Sequence, residues 1–198
     1  MNTYNTIEKP SLAEFKDRGS KFLAYAFSIA DVADFKKRLL HLKEEHPKAA
    51  HHCFAYRLGT DGSNFRSSDD GEPSGSAGKP ILGQIDSKQL TNVAVVVVRY
   101  FGGTLLGVPG LINAYKTSTS LALQLTPIIQ KPVLENYSVE FDYTHMNDVM
   151  TIVKRYKCEV LKNETQLFCK VKIGIPRENL EPCVEKFNEM QGITIQKV

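Results

Sequence analysis

The chain has 198 residues, 42% hydrophobic and 24% charged, enough to bury a sizeable core in one or two domains, and this excludes intrinsic disorder. With 25 Lys and Arg against 22 Asp and Glu, the net charge of +3 gives no overall field that would hold the protein on nucleic acid or an anionic membrane. The longest purely apolar run, Val93 to Val98, is far short of the roughly 20 residues of a spanning helix, and the polar N-terminus has no signal-peptide core. A soluble, cytoplasmic protein without a membrane partner is expected.

In chain order, Thr3 to Ile7 and Lys21 to Ile29 read as two opening strands, with Lys16 to Ser20 as a charged connection. Asp31 suits the cap of a helix whose Val32, Phe35, Leu39 and Leu42 recur at three- and four-residue spacing, ending near Pro47. Lys36, Lys37, Arg38 and Lys43 fall largely outside that stripe, as on an ordinary solvated helix face. His51 to Leu58 reads as a strand, and Asp61-Gly62 followed by Asn64 to Ser67 as a hairpin. Ten of the 13 glycines then fall between Gly59 and Gly110. Within that window Val93 to Val98 is apolar at consecutive positions, so the strand Asn92 to Tyr100 is expected to be covered on both faces and central to a sheet. Pro109 suits the first turn of a mostly buried helix running from about Leu111 to Leu125.

Pro127 and Pro132 bracket a change of character, which divides the chain into expected domains at 1–130 and 133–198. In the second, strands are predicted at Tyr137 to Tyr143, Glu159 to Lys162, Leu167 to Ile175 and Ile193 to Val198. One helix carries Met146, Val149, Met150 and Val153, and another, opened by Pro176, carries Leu180, Val184 and Phe187. The order β-α-β-β-α-β is the ferredoxin-like pattern, and the chain as a whole reads as α+β. Residues 1–132 hold 16 basic and 12 acidic side chains and residues 133–198 hold 9 and 10, so the first part is the better expected site for phosphate. Cys53, Cys158, Cys169 and Cys183 show neither a C-x-x-C pair nor tight Cys/His spacing, and read as reduced, mostly buried thiols.

The sharpest local feature is the loop Asp69-Asp70-Gly71-Glu72-Pro73-Ser74-Gly75-Ser76-Ala77-Gly78-Lys79-Pro80. A Walker loop needs glycine where Pro73 stands and Ser or Thr where Pro80 stands, and neither Ser74 nor Ser76 sits in a G-x-S-x-G elbow. Asp69, Asp70 and Glu72 offer hard oxygen ligands for Mg²⁺, but turn formation and capping of a helix around Pro80 to Ile85 weigh more. A second segment, Arg99-Tyr100-Phe101-Gly102-Gly103-Thr104-Leu105-Leu106-Gly107-Val108-Pro109-Gly110, joins the buried strand to the buried helix. Its amides at Gly102 and Gly103 are candidates for facing an anion, with Arg99 and Lys79 as countercharge, while tight turning and close helix-to-sheet packing account for the same glycines. His51 and His52 open a strand and face opposite sides, so they do not chelate one metal; one of them lining a pocket with Arg57 or Arg99 stays open.

The run from His51-His52-Cys53-Phe54-Ala55-Tyr56-Arg57 through DDGEPSGSAGKPIL to VVVVRYFGGTLLGVPGLINAY resembles the YigZ/IMPACT family, and the C-terminal element order is similar to its bacterial, YigZ-like branch. That resemblance implies an N-terminal domain of the ribosomal-protein-S5 domain 2 type and a C-terminal ferredoxin-like domain, folds also seen in the ribosomal translocation factor. No cofactor is expected, Mg²⁺ at Asp69, Asp70 and Glu72 aside. Eukaryotic members regulate translation by competing for a protein partner of a stress-responsive initiation-factor kinase; these 198 residues hold no counterpart of the N-terminal partner-binding domain they carry. The function so implied is a non-catalytic, translation-associated regulator that binds RNA, the ribosome or a translation-related protein through its Gly-rich loops. Asp69, Asp70, Glu72, Ser74, Lys79, Arg99 and Tyr100 stand at the family's motif positions. Lys79 and Arg99 would meet phosphate, Tyr100 would stack on a base, and the carboxylates would orient the loop or hold a cation. The alternative is a metal-assisted hydrolase or phosphotransferase on a phosphate-containing substrate, with Asp69 or Asp70 holding Mg²⁺.

Overall fold

The valine run forms the middle strand of a five-stranded antiparallel sheet. In the computed structural model, which describes residues 1–165 and 168–198, the first elements are β1 (Thr3–Ile7), β2 (Ser11–Asp17), β3 (Ser20–Ser28), α1 (Val32–Glu45), β4 (His51–Leu58) and β5 (Asn64–Ser68). They are followed by α2 (Gly78–Ser87), β6 (Val93–Tyr100), α3 (Gly107–Gln124) and β7 (Ile128–Pro132). The sheet order is β2-β3-β6-β4-β5, and β1 pairs with β7 in a separate two-stranded sheet.

Because side chains alternate along a strand, the consecutive valines of β6 feed two cores. Val93, Val95 and Val97 pack with Ala24, Ala26, Cys53 and Ala55 against Ile81 and Ile85 of α2 and Leu111, Ala114 and Tyr115 of α3. Ala94, Val96 and Val98 pack with Phe54 and Tyr56 against Phe35 and Leu42 of α1. Both faces of the strand are therefore covered, as the unbroken apolar run predicts. Asp31 caps α1 by accepting from Asp34 N at 2.8 Å.

Two strands depart from the sequence reading. β2 reaches into what reads as a connection, and as an edge strand it points Glu14 and Lys16 outward, so its polar residues mask the pattern. β7 occupies the stretch between the two prolines. The helix α3 also starts earlier than predicted, with its first turn at Gly107 to Gly110.

The described residues divide into two compact units, Tyr4–Lys131 and Pro132–Val198 with Met1–Thr3. The second contains β8 (Leu134–Phe141), α4 (Met146–Arg155), β9 (Glu159–Thr165), β10 (Cys169–Pro176), α5 (Leu180–Asn188) and β11 (Ile193–Lys197). Its strand order is β11-β8-β10-β9, with antiparallel neighbours throughout. Interleaving two β-α-β halves produces this order. Val139, Val171 and Ile173 pack against Val149 and Ile152 of α4 and Cys183 and Phe187 of α5. Leu167, the first residue of the predicted third strand, lies outside the described residues. The chain is α+β in both units, and among the described residues no helix is long and apolar enough to cross a membrane.

Candidate functional site

The two Gly-rich segments do meet, at the end of the sheet where β6 leaves and β4 begins. Strand parity puts Arg99 on the face of Val93, Val95 and Val97, which α2 and α3 cover, so its guanidinium enters the interior. There Arg99 Nη1 donates to Glu72 Oε1 at 2.6 Å, and Tyr115 Oη, from α3, donates to the same oxygen at 2.7 Å. Ser20 Oγ lies 3.4 Å from Arg99 Nη2 and accepts from Gly102 N at 3.2 Å. Burial pushes the Tyr115 hydroxyl far above its ordinary pKa, which keeps it a donor. Cys53 Sγ sits 3.3 Å from that hydroxyl and 3.0 Å from Asp69 O, and burial likewise pushes its thiol up.

His51 pairs opposite Arg99 in the ladder. Its Nδ1 is 2.7 Å from Asp70 O, and since a carbonyl only accepts, Nδ1 carries the proton. Nε2 is then left 3.7 Å from Glu72 Oε2. The carboxylates predicted as a cation cluster have separate work. Asp69 accepts from Gly75 N at 2.9 Å, Ala77 N at 3.1 Å and Gly78 N at 2.8 Å, closing the loop and capping α2. Burial raises the Asp69 carboxyl, but these three N–H groups outweigh it and hold it below the usual carboxylate range. Asp70, at φ +43°, accepts from His52 N at 2.7 Å. Among the described residues no group of three or more His, Cys, Asp or Glu side chains is arranged to hold a metal ion.

The other expected site residues scatter. Tyr100 projects from the opposite face of β6, where its hydroxyl meets His46 Nδ1 at 2.8 Å. Arg57 lies at the far end of β4 from His51, bonded to Asp86 Oδ1 at 2.8 Å and stacked on Phe65. Ser74 and Lys79 are exposed on the loop and at the start of α2. Gly102 is required by packing: a Cβ there would stand 1.9 Å from Gly19 C and 2.2 Å from Ser20 N, both backbone atoms of the β2–β3 turn. Gly103 is required by conformation, at φ +90° with open space around it.

Thus Glu72 and Arg99, one from each loop, neutralise each other inside the protein instead of lining a hollow, so Arg99 is not presented to a phosphate, while Lys79 stays exposed. Tyr115, the third member of the buried cluster, lies within the helix predicted over about Leu111 to Leu125 but is not among the expected site residues; the signal for it is that a buried tyrosine needs a partner for its hydroxyl. The second segment and the first turns of α3 also present apolar side chains. Phe101 is 51% exposed, Leu105 83%, Val108 45% and Ile112 38%. Arg18 Nη2, bonded to Leu106 O at 3.3 Å, and exposed Lys116, one turn beyond Ile112, border them.

Comparison with known proteins agrees over most of the chain. Residues 18–123 match the Impact N-terminal domain. A Haemophilus influenzae protein described as an IMPACT family member is 34% identical over 191 residues, covering 96% of this chain and 93% of that one. The Escherichia coli IMPACT family member YigZ is 31% identical over 159 residues, 79% of this chain and 78% of its own. A solved structure described as that of a hypothetical protein superposes on 100% of this chain and 98% of its own, with a TM-score of 0.78 and 27% identity. The match over more than half the residues, together with these relatives, shows that the chain belongs to the IMPACT family.

Proposed function

We propose that the protein is a non-catalytic, translation-associated regulator that docks a protein partner on the segment from Phe101 to Ile112. Family membership and the resemblance of the first unit to translation-regulating members support the setting. The observation that carries the docking surface is the exposure of Phe101, Leu105, Val108 and Ile112 within twelve residues, on the connection into α3 and its first turns, whose base is pinned by the buried Glu72–Arg99–Tyr115 cluster. Apolar side chains displayed from a rigid base are what a protein interface uses as anchors, because little conformational freedom is lost on binding. Arg18 and Lys116 at the border favour an acidic flank on the partner. An RNA ligand draws less support, since Arg99 is committed to Glu72 and Tyr100 to His46.

Cosedimentation with salt-washed ribosomes tests this. Binding is expected to survive RNase trimming and moderate salt, to fall at least ~10-fold in a Phe101→Ser/Leu105→Ser double variant, which removes anchor contacts of the hot-spot kind, and to hold in Lys79→Ala. Binding that falls steeply with salt, or that is lost in Lys79→Ala while the double variant binds normally, would overturn it in favour of a phosphate-reading site.

A further inference from the structure

Two of the four thiols lie against each other. Cys158, between the end of α4 and the start of β9, has its Sγ 3.7 Å from Cys183 Sγ in α5. Cys158 is partly exposed, whereas Cys183, Cys53 and Cys169 are buried. The turn before Cys158 is tied to the segment leading into α5 by Asn179 Nδ2, which donates to Tyr156 O at 3.0 Å, so the sulfurs are held in register by a second link. A disulfide needs an S–S distance of about 2.05 Å, which leaves roughly 1.7 Å of approach.

We propose that Cys158 and Cys183 form a reversible dithiol/disulfide couple, a modification site for low-molecular-weight disulfides, with Cys158 attacking and Cys183 resolving. The Cys158 thiolate attacks one sulfur of the small disulfide; that S–S bond breaks, and one small thiolate leaves and takes up a proton. Cys183 then attacks Cys158 Sγ in the mixed disulfide; the Cys158–small-thiol S–S bond breaks, and the second small thiolate leaves with the proton that Cys183 gives up. Two protein thiols are oxidised and one small disulfide is reduced to two thiols. The division of labour follows from access and hydrogen bonding. Either sulfur can donate in the contact between them; that contact draws the Cys158 thiol below its ordinary pKa, and the same contact together with burial pushes Cys183 above it. The bridge would fasten α5 to the turn that ends α4 and enclose β9 and β10 in its loop.

The experiment incubates the full chain with oxidised glutathione over a range of glutathione ratios, quenches with an alkylating agent and maps the peptides by mass spectrometry. The expected product joins the Cys158 and Cys183 peptides with the loss of two hydrogens, is reversed by dithiothreitol, and leaves Cys53 and Cys169 alkylated after unfolding. In Cys183→Ser, or Cys183→Ala if the serine variant loses its circular-dichroism signature, glutathione is expected to stay on Cys158. In Cys158→Ser, Cys183 is expected to stay unmodified. A stable glutathione adduct on Cys158 in the unmutated chain, oxidation of Cys53 or Cys169 at the same ratio, or no reaction at any cysteine would overturn the proposal.

Discussion

Arg99 Nη1 and Glu72 Oε1 are 2.6 Å apart, with side-chain exposures of 6% and 3%, so the two Gly-rich segments are locked by a buried ion pair. Such a pair adds little to stability by itself, because desolvating both charges offsets their attraction; removing one partner, however, strands the other charge. Glu72→Leu is therefore expected to destabilise the protein by about 3–5 kcal/mol, and the double variant Glu72→Leu/Arg99→Met to recover the part due to the stranded Arg99 charge, the Tyr115 hydroxyl having lost its acceptor in both. Urea unfolding of the unmutated protein and the two variants checks it; a double variant as unstable as the single would mean the pair is not the coupled unit described.

Tyr115 is the hinge between that pair and α3. Tyr115→Phe removes the hydroxyl that donates to Glu72 Oε1 at 2.7 Å and leaves the ring packed on Phe22 at a centroid distance of 5.2 Å. The expected loss is about 1–3 kcal/mol, the cost of an acceptor left short of a donor with packing unchanged. A loss well above that range would assign the residue's contribution to the ring.

Gly102 and Gly103 are neighbours required for different reasons, and alanine separates them. At Gly102 the new Cβ meets backbone atoms at 1.9 and 2.2 Å that no rotamer change can clear. The β2–β3 turn would have to move, at an expected cost of about 3 kcal/mol, the upper end of overpacking penalties. At Gly103 nothing lies within 4 Å, so the cost is that of holding alanine at φ +90°, about 1–2 kcal/mol. Thermal midpoints in the order unmutated, Gly103→Ala, Gly102→Ala are expected, and a reversed order would mean the turn gives way easily.

The architecture was legible because its signals are local. The Val93–Val98 run marked the central strand, and the period-3.6 stripe with Asp31 marked α1. β2 was hidden since an edge strand carries charged residues on the face it turns to water. The site was legible only in part. Glu72 and Arg99, one from each motif, do converge, but whether two opposite charges line a hollow or consume each other depends on their depth. Depth was readable in one respect, since the two-residue period puts Arg99 with the inward valines and Tyr100 on the other face. The pairing of Glu72 with Tyr115, 43 positions apart, had no local signal.

Asp69 gives the fold of the first Gly-rich loop a dependence on pH. Three backbone N–H groups favour its charged form in the folded protein, outweighing burial, so its folded pKa lies below the ordinary carboxylate value. A depressed pKa means that the unfolded chain takes the proton more readily. The stabilisation is therefore fully present above about pH 4 and is lost as pH falls through the folded value. Asp69→Asn keeps an acceptor oxygen but removes the charge, and it is expected to lower stability at pH 7 by about 1 kcal/mol, as for a lost cap. Chemical denaturation at pH 7 and pH 3 should show the gap between the unmutated protein and Asp69→Asn narrowing on the acid side. A gap of constant size would mean that the oxygen's geometry, and not its charge, holds the three amides.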